Sequence, residues 1–405
     1  MSETILVVNA GSSSVKFQVF AVGPYDQLER RMRGQLEGIG THPRLFARGS
    51  EGETLVDQRW SAQEIPDVPT AFGEAVSFLR AHGNGELPIA IGHRVVHGGS
   101  EFTAPTIVSG EVIKKLEPFI PLAPLHQPNN LAPIKVIHEK HPHLLQVACF
   151  DTSFHRGHPA VADYYAIPDE LHTEGVRRYG FHGLSYEYIA GQLPDIAPEI
   201  TSGRVIVAHL GSGASMCAMV DRKSIDSTMG FTALDGLPMG TRPGQLDAGV
   251  VIYLMQQKGM SADEIERFLY KDCGLKGLSG ISNDVRDLLA SSEPRAKFAL
   301  EYFVYRIATL TGMLAAAMGG IDGFVFTAGI GENAAPIRAA VLQRLAWLGF
   351  DLDAEANAAG ASRITTKNSP AACFVIPTNE GLMIARHTLN ALRAQSIPLR
   401  EEKLA

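Results

Sequence analysis

Short apolar runs alternate along the chain with longer stretches of helical periodicity. The apolar runs at residues 89–96, 144–150 and 323–329 have the length and the β-branched and aromatic content of strands. Residues 70–82 and 295–319 repeat their apolar positions every three to four residues, which is typical of helices that bury one face. This alternation predicts an α/β fold.

One segment near the N-terminus has a partner near the middle of the chain. The stretch "VVNAGSSSVKFQVF", which begins at Val7, matches "VAHLGSGASMCAMV", which begins at Val207, so that Gly11 aligns with Gly211. In each copy an apolar run enters a Gly/Ser turn and leaves it as a strand. This internal repeat predicts two similar α/β domains with a cleft between them.

The composition narrows the class of protein. A chain of 405 residues with 45% hydrophobic content can bury substantial cores. No apolar run approaches the roughly 20 residues that cross a bilayer, and the N-terminal segment lacks the blocks of a signal peptide, so we expect a cytoplasmic protein with no membrane partner. The four cysteines form no CxxC pair, which disfavours a disulfide framework or a zinc site, and we expect them to be reduced core residues. A net charge of −7 without a Lys/Arg block disfavours a nucleic-acid surface.

Three glycine-containing turns are candidates for phosphate binding, because backbone N–H groups free of bulky side chains can approach phosphate oxygens. In the first turn Ser12 and Ser14 add hydroxyl donors and Lys16 adds a charge. A simple hairpin is the favoured explanation for one such turn alone, but its duplicate favours two phosphate-binding turns, one in each domain. A third turn, at residues 329–333, leads from a strand into a helix, which suits a nucleotide, although the sequence contains no Walker motif.

Arginines and histidines concentrate in short segments rich in Gly and Pro, so we expect loops to place their side chains. Arg94 and Arg242 come from opposite halves of the chain, and together they can bind a carboxylate and a phosphoryl group. His126 and His182 lie in similar segments, although a lone histidine in a loop more often makes a structural hydrogen bond. Asp151 follows an apolar strand, where active-site carboxylates of α/β proteins are found.

A metal site made of histidines is a less favoured interpretation. The three histidines within residues 138–143 resemble the charged end of a helix, and His93 and His97 lie in a β-branched run where residues four apart do not share a helical face. Magnesium that arrives with a nucleotide needs few carboxylates, since phosphate oxygens supply the other ligands. Asp151 and Glu380 are the candidate ligands.

These segments together resemble the acetate kinase family over essentially the whole chain. The matching strings, in fixed order, are "NAGSSSVKF", "GHRVVHGG", "PLAPLHQPNN", "FDTSFH", "YGFHGLS", "AHLGSGAS", "GFTALDGLPMGTRPG", "GLSGISNDVRD", "GIGEN" and "TNEGLMIARH". The resemblance implies two duplicated actin-like (ribonuclease H-like) α/β domains around a nucleotide cleft, and a homodimer. We place one domain at residues 1–153 with a C-terminal helix at 382–405, and the other at 154–381. The resemblance also implies a reversible reaction in which ATP, with Mg²⁺ or Mn²⁺, transfers a phosphoryl group to acetate and gives ADP and acetyl phosphate.

The resemblance also implies a role for each matching residue. The implied catalytic residues are Arg94, His126, Asp151, His182 and Arg242. The implied metal ligands are Asn9 and Glu380. The residues implied to bind the nucleotide are Asn9, Ser12, Ser14, Lys16, His209, Gly211, Ser212, Gly213, Asp284, Val285, Arg286, Gly329, Gly331 and Asn333. Those implied to bind the acyl substrate are Arg94, Val96, Leu125 and Phe181.

Several positions depart from the usual pattern of the family, and they leave the acyl substrate open. Ser212 stands where Asn is common, Pro243 and Gln245 stand where Ser and Asp are usual, and Ala233 stands where Pro often borders the acyl pocket. One methylene is worth only about 1–3 kcal/mol of discrimination, so some activity on propionate is expected. A propionate or butyrate kinase is the nearest alternative.

Two more distant alternatives use the same superfamily fold. A sugar kinase would need a carboxylate general base beside a polar sugar pocket, whereas the Arg and His segments indicate an anionic acceptor. An actin-like or chaperone-like nucleotide switch would hydrolyse ATP slowly and would carry a surface for a partner or for polymer contacts.

Overall fold

The computed structural model of this chain describes residues 3–82, 88–124 and 126–396. The chain separates into two units, one formed by residues up to Ser153 together with the segment from Asn379 onward, and the other by Phe154–Thr378. Each unit is built on its own β-sheet with helices against it. The α/β class predicted from the sequence is confirmed.

The first unit contains one sheet and four of the described α-helices. Its strands are β1 (Thr4–Ala10), β2 (Ser14–Val22), β3 (Leu28–Glu37), β4 (Arg44–Gly49), β5 (Thr54–Arg59), β6 (Ala90–Val95), β7 (Thr106–Ile107) and β8 (Leu145–Phe150). Its helices are α1 (Val68–His82), α2 (Gly110–Leu116), α3 (Gln127–Lys140) and a C-terminal helix (Glu380–Ser396). The strand order in the sheet is β5-β4-β3-β2-β1-β6-β8-β7.

The C-terminal helix completes the first unit by packing against β1, β6 and β8. It approaches β6 so closely that a Cβ atom at Gly92 would lie 2.3 Å from Thr388 Oγ1 and 2.5 Å from Ile384 Cγ2, which excludes any larger residue. The helix predicted at residues 382–405 begins slightly earlier, at Glu380, and is described as far as Ser396. Residues 397–405 of that prediction lie outside the described part of the chain.

The second unit has a sheet of the same design and a larger set of helices. Its strands are β9 (Arg204–Leu210), β10 (Ala214–Val220), β11 (Lys223–Ser227), β12 (Gly323–Thr327) and β13 (Ala372–Val375). Its helices are α4 (Ala160–Asp163), α5 (Asp169–Thr173), α6 (Gly183–Ile196), α7 (Ala248–Lys258), α8 (Ala262–Lys271), α9 (Gly274–Ser279), α10 (Val285–Ala290), α11 (Pro294–Met318), α12 (Ala328–Asn333), α13 (Ala335–Arg344) and α14 (Ala354–Ala358). The strand order is β11-β10-β9-β12-β13.

The two sheets share one topology. In the first unit β3, β2 and β1 are antiparallel neighbours, and β6 and β8 then add parallel to β1. In the second unit β11, β10 and β9 are antiparallel neighbours, and β12 and β13 add parallel to β9. The Gly/Ser turns at residues 11–13 and 211–213 therefore occupy equivalent places, and the internal repeat is confirmed.

Buried apolar side chains fill both units, and the cysteines belong to these cores. Cys149, Cys217 and Cys373 are buried free thiols, as predicted, while Cys273 is only half-buried. Helix α11 buries one face, which includes Phe303. No helix in the described part of the chain has both the length and the apolar character that a membrane crossing requires.

Candidate functional site

The first Gly/Ser turn gathers four predicted residues at one end of a β-hairpin. The backbone N–H of Gly11 donates to the carbonyl oxygen of Ser14 at 2.8 Å and closes the turn. The antiparallel register places Asn9 on β1 opposite Lys16 on β2. Ser12 and Lys16 are exposed, and Ser14 is half-buried. Amide, hydroxyl and ammonium groups therefore lie together where phosphate oxygens can accept hydrogen bonds from them.

Arg94 and Asp151 form a bidentate ion pair at the adjacent ends of the parallel strands β6 and β8. Arg94 Nε donates to Asp151 Oδ1 at 2.9 Å and Nη2 donates to Oδ2 at 2.6 Å. Burial opposes the charge on the guanidinium, but the carboxylates of Asp151 and Glu380 hold the pKa of Arg94 above its usual value. The Asp151 side chain is 2% exposed and that of Arg94 is 20% exposed, so a buried carboxylate orients an arginine that water can reach.

Arg94 lies on β6, which continues to Val95, so the strand predicted at residues 89–96 is confirmed and the expectation that a loop places this arginine is wrong. Successive side chains of a strand point to opposite faces, so Arg94 and its neighbour His93 diverge. His93 is buried, and its Nε2 lies 2.9 Å from Gln146 Oε1. Burial lowers the pKa of His93 to about 4, which keeps the imidazole neutral. At Arg94 the strand still pairs with β8, opposite Cys149, and this pairing holds the arginine more rigidly than a loop would.

The start of helix α3 supplies two positioning residues that the sequence did not reveal. Gln127 is fully buried, and it accepts from the N–H of His97 at 3.2 Å and donates to the carbonyl oxygen of His97 at 3.0 Å. Asn130 Nδ2 donates to the Ala10 carbonyl oxygen at 2.6 Å, and Asn130 Oδ1 accepts from the Val96 N–H at 2.9 Å. The only local signal is a pair of amide side chains three residues apart at a helix start.

The remaining predicted residues of the first unit lie near these segments. Val96 is buried, and His126 is half-buried at the residue that precedes α3. Leu125 lies outside the described residues. Glu380 opens the C-terminal helix, where Asn379 Oδ1 accepts from the Leu382 N–H at 3.0 Å.

The interpretation of the clustered histidines as a helix end is confirmed. Helix α3 ends at Lys140, so residues 138–143 form its C-terminal end. Within residues 3–82, 88–124 and 126–396, no three His, Cys, Asp or Glu side chains group together as ligands of a metal ion.

In the second unit two predicted histidines stack on each other. The rings of His182 and His209 lie with their centroids 4.2 Å apart and their planes 12° apart. Ser215 Oγ lies 2.8 Å from His182 Nδ1, and Ser185 Oγ lies 2.9 Å from His209 Nδ1. His182 itself adopts a left-handed backbone conformation, with φ of 57°, at the start of α6. Two serine hydroxyls therefore fix the orientation of both rings.

Arg242 lies against the same glycine turn as His182. A Cβ atom at Gly213 would lie 2.9 Å from Arg242 Nη2 and 3.2 Å from His182 Nε2. Arg242 Nη1 also donates to the Ala233 carbonyl oxygen at 2.7 Å. Burial lowers the pKa of Arg242 to about 10, so the guanidinium stays charged at neutral pH. The structure thus brings a cation and an imidazole together at one turn.

Backbone hydrogen bonds brace the glycine-rich segment that carries Arg242. The Met239 N–H donates to the Arg242 carbonyl oxygen at 2.9 Å, and the Cys273 N–H donates to the Thr241 carbonyl oxygen at 3.1 Å. Gly274 has φ of 62°, and a Cβ atom there would lie 2.1 Å from the Met239 carbonyl oxygen. Only glycine fits at this close approach of two backbone segments.

Phe181, which the resemblance assigns to the acyl site, is buried in the segment that leads to His182. Its carbonyl oxygen lies 3.0 Å from His155 Nε2. Burial lowers the pKa of His155 to about 3, so this imidazole is neutral and its Nε2 donates to the carbonyl. His155 therefore helps to position the Phe181 backbone.

A cavity of about 520 Å³ lies within the second unit, beside the second Gly/Ser turn. The predicted nucleotide residues that line it are Gly211, Ser212, Asp284, Val285, Arg286, Gly329 and Asn333. The lining residues that the sequence did not reveal are Met239, Gly240, Leu275, Asn283, Leu289, Phe303, Ile330, Ala334 and Pro336. The cavity combines the second Gly/Ser turn and the glycine-containing start of α12 with apolar side chains, which is the usual character of a small-molecule site.

Three of the residues predicted to bind nucleotide lie elsewhere in the second unit. His209 and Gly213 belong to the cluster around His182. Gly331 packs on β12, where a Cβ atom would lie at an ordinary contact distance of 3.5 Å from Phe326 Cβ, so the packing does not by itself require glycine.

Helix α10 begins at the cavity with an ion pair at its N-terminus. Asp284 caps the helix, because its Oδ1 accepts from the Arg286 N–H at 2.8 Å. The same carboxylate pairs with the Arg286 guanidinium, whose side chain is 89% exposed. Arg286 therefore lies at the rim of the cavity, where a ligand can meet it.

Arg338 is a further positioning residue that the sequence did not reveal. This arginine is 2% exposed, and its Nη1 donates to the carbonyl oxygens of Gly331 at 3.0 Å and Glu332 at 2.8 Å. Its Nε donates to Asn357 Oδ1 at 2.8 Å. The turn predicted at residues 329–333 is helical instead, because these residues belong to α12, and the buried guanidinium braces the end of that helix beside the cavity.

Comparison with known proteins gives relatives over nearly the whole chain. The sequence profile of the acetokinase family matches residues 4–386. A protein of Nitrobacter hamburgensis named acetate kinase is 59% identical over 397 residues, which is 97% of this chain and 97% of that protein. One of Rhizobium meliloti with the same name is 55% identical over 392 residues, 97% of this chain and 99% of that protein.

Solved structures give the same result. A propionate kinase from Francisella tularensis superposes with a TM-score of 0.88 at 39% identity, over 96% of this chain and 99% of that one. An acetate kinase from Porphyromonas gingivalis superposes with a TM-score of 0.85 at 36% identity, over 96% of this chain and 100% of that one. The predicted actin-like fold is thereby confirmed. The chain belongs to the acetokinase family.

Proposed function

We propose that this chain is an acetate kinase, which transfers the γ-phosphoryl group of ATP reversibly to acetate and gives ADP and acetyl phosphate. The main support within the structure is that one glycine turn borders both a cavity and a pair of charged or polar side chains. Gly211 and Ser212 line the 520 Å³ cavity, while Gly213 lies against Arg242 and His182. A nucleotide in the cavity would direct its terminal phosphate along this turn toward a cation and an imidazole.

The chemistry requires charge compensation more than proton transfer. Acetate is ionised at neutral pH, so one carboxylate oxygen can attack the γ-phosphorus without a general base. A new O–P bond forms as the bond from the γ-phosphorus to its bridging oxygen breaks, and ADP leaves with that electron pair. The two reactants are anions that repel each other, so Arg242 and His182 would stabilise the charge spread over the transferring group.

Arg94 would hold the carboxylate of the acyl substrate. Asp151 occupies Nε and Nη2 of its guanidinium, and this bidentate contact sets the direction in which the remaining N–H groups point. We therefore assign Asp151 the role of orienting Arg94. The half-buried His126 would add a hydrogen bond to the transferring phosphoryl group.

We propose that Asn9 and Glu380 hold Mg²⁺, or Mn²⁺ in its place. Amide and carboxylate oxygens are the protein ligands that these hard cations prefer, and a nucleotide supplies phosphate oxygens as the others. The charge of Glu380 acts on Arg94, so this carboxylate belongs to the same electrostatic neighbourhood. When bound, the cation would neutralise charge on the nucleotide phosphates.

The preferred acyl group is proposed to be acetate. The relatives at 55–59% identity carry the name acetate kinase, whereas the propionate kinase of known structure is 39% identical. The resemblance assigns Val96 of the first unit and Phe181 of the second, both buried apolar residues, to the methyl group of the substrate. Ala233 is a smaller residue than proline, and it leaves a propionate or butyrate kinase with the same mechanism as the alternative.

We also propose a homodimer, as the family resemblance implies. Helix α7 has no buried residue, and its side chains Val250, Ile252, Tyr253 and Met255 are 39% to 52% exposed. A contiguous apolar surface of this kind is typical of a protein contact. Light scattering across a dilution series would measure the oligomeric state. The cytoplasmic location remains a prediction from the sequence.

The test of the proposed function is acyl phosphate formation from Mg-ATP with acetate, propionate, butyrate or glycerol. Hydroxylamine traps acyl phosphates, and ADP release is measured in parallel. Acetate is expected to be the preferred acceptor. Preference for propionate or butyrate would reassign the substrate, and ADP release without a trapped product would refute a carboxylate kinase.

A matched variant shows whether any trapped product comes from the proposed site. Arg242→Ala removes the cation at the glycine turn and is expected to abolish most of the acyl phosphate signal. Arg344→Ala removes an exposed arginine of the same unit, whose guanidinium lies 3.4 Å from Glu301 Oε1, and is expected to leave the signal unchanged. Equal signals in the two variants would contradict the assignment of the site.

A further inference from the structure

Asn130 joins two segments of the first unit that carry proposed site residues. Its side chain is buried, with 2% of the residue exposed. The amide nitrogen donates to the carbonyl oxygen of Ala10, the last residue of β1 before the Gly11 turn. The amide oxygen accepts from the N–H of Val96, two residues after Arg94.

The bridge lies where backbone pairing between the two strands has stopped. Strands β1 and β6 pair in parallel from Ile5 opposite Ala90 to Val8 opposite His93. Beyond that point the Ala10 carbonyl and the Val96 amide need other partners, because a buried backbone group without a hydrogen bond is costly. A side-chain amide offers one acceptor and one donor group on the same short stem, so it satisfies both.

We infer that Asn130 is a positioning residue for phosphoryl transfer, a role that rests on the proposed function. It fixes the distance between the turn after Ala10, which would meet phosphate, and the segment that carries Arg94 and Val96, which would hold the acyl group. Each substrate needs only one of the two segments in order to bind. The transition state needs both in register, so loss of the bridge should lower kcat more than it raises either KM.

Asn130→Asp tests the bridge because its effect depends on protonation. The ionised carboxylate still accepts from the Val96 N–H but has no donor for the Ala10 carbonyl, whereas the protonated acid has both. We expect kcat to fall about 10- to 100-fold at pH 8. The ratio of variant to wild-type kcat should rise at least several-fold as the pH falls to about 5.5.

Other titrating groups are common to both proteins, so the ratio cancels their effect. On β6 and the segment after it these groups are His93, Arg94 and His97. His126 precedes α3, and the helix itself carries Lys135, His138, Glu139 and Lys140. Strand β1 carries no titratable side chain between Thr4 and Ala10.

Two further variants separate positioning from loss of stability. Gln146→Glu makes the same amide-to-acid change at a residue that is 3% exposed and contacts His93 and Ile134, away from the bridge. Below its unfolding temperature it should keep kcat near the wild-type value. Asn130→Ser introduces no charge. At every pH it should lower kcat by about the factor that Asn130→Asp shows at pH 8, and each KM should change less than about threefold.

The rates are measured with whichever acceptor the wild-type protein phosphorylates. Inactivity toward acetate would therefore contradict the proposed function but would not contradict the role of Asn130. Melting curves by circular dichroism confirm that each variant is folded, and Asn130→Ser decides the matter if the aspartate variant does not fold. An unchanged kcat in folded Asn130→Ser would overturn the inference. The inference would also be overturned if the ratio of Asn130→Asp to wild-type kcat did not change with pH, or if Gln146→Glu lowered kcat as much as Asn130→Asp does.

Discussion

The bidentate contact between Arg94 and Asp151 leads to a quantitative prediction for Asp151→Asn. The substitution keeps the shape of the side chain but turns one accepting oxygen into an amide with its own N–H donors. One of the two hydrogen bonds, at 2.9 and 2.6 Å, is therefore lost, and donor then faces donor. The guanidinium keeps its charge and loses the carboxylate that orients it.

The expected cost follows from the burial of the pair. Removing one partner of a buried ion pair costs about 3–5 kcal/mol in the free energy of unfolding. Asp151 is 2% exposed but Arg94 is 20% exposed, so water can compensate part of the lost contact. We expect the lower end, about 3 kcal/mol. A misdirected Arg94 should also lower kcat by about 100-fold.

Urea unfolding and steady-state acyl phosphate formation measure the two effects. The first unit offers a matched control, because Arg44 binds Asp57 through the same two nitrogens at 2.8 and 2.7 Å. That pair is 31% and 42% exposed, so Asp57→Asn should change neither stability nor turnover measurably. Equal effects of the two substitutions, or a normal kcat in Asp151→Asn, would refute the assigned role of Asp151.

Three further predictions concern other parts of the molecule. Gly213→Ala places a Cβ atom 2.9 Å from Arg242 Nη2 and should displace that guanidinium. Steady-state kcat should fall at least about tenfold while the circular dichroism spectrum stays unchanged. A normal kcat would show that the turn accommodates a methyl group beside Arg242. Arg242→Lys keeps the positive charge but loses the planar guanidinium, so kcat should fall about 10³-fold in the same assay. A near-normal kcat in this variant would contradict the role proposed for Arg242. Burial lowers the pKa of His93 from about 6.5 in the unfolded chain to about 4 in the folded protein. As the pH falls from 6.5 to 4, the unfolded chain therefore binds more protons than the folded protein, and the free energy of unfolding should decrease by up to about 3 kcal/mol. Urea midpoints at pH 7, 5.5 and 4.5 test this, and His93→Gln should show a smaller dependence.

Elements of regular periodicity were predictable from the sequence because their signal is local. The helix predicted at residues 70–82 spans Val68–His82, and the one predicted at 295–319 spans Pro294–Met318. The repeated Gly/Ser turn correctly indicated two sheets of one topology. These features depend on side-chain order along a short stretch, which a sequence displays directly.

Residues that support the site could not be predicted in the same way. Asn130 and Gln127 act on backbone groups about 30 residues away, and Arg338 joins the end of α12 to Asn357, so only the fold brings these partners together. A buried arginine such as Arg338 looks in the sequence like any polar residue on a helix. Arg94 lies in the strand predicted at residues 89–96, but the glycines around it also favour a loop, and only pairing with β8, which continues to Val95, settles the matter.

The proposed site itself came from the resemblance, and the structure groups its residues within each unit. Gly213, His182 and Arg242 meet at one turn, and Gly211, Ser212 and Asp284 meet at one cavity. Spacing along the chain could not have produced these groups, since their members lie up to 73 residues apart.

The C-terminal helix bears on the order of events during synthesis. Domains generally form as units while the chain leaves the ribosome, the earlier ones first. Here the sheet that contains the first strand is covered by Ile384 and Thr388, which pack against Gly92 and are synthesised after the second unit. Residues 154–378 can complete their own sheet in the meantime. The N-terminal unit is thus the last to finish, and a ribosome that stalls shortly before Glu380 would leave the first unit open and available to chaperones.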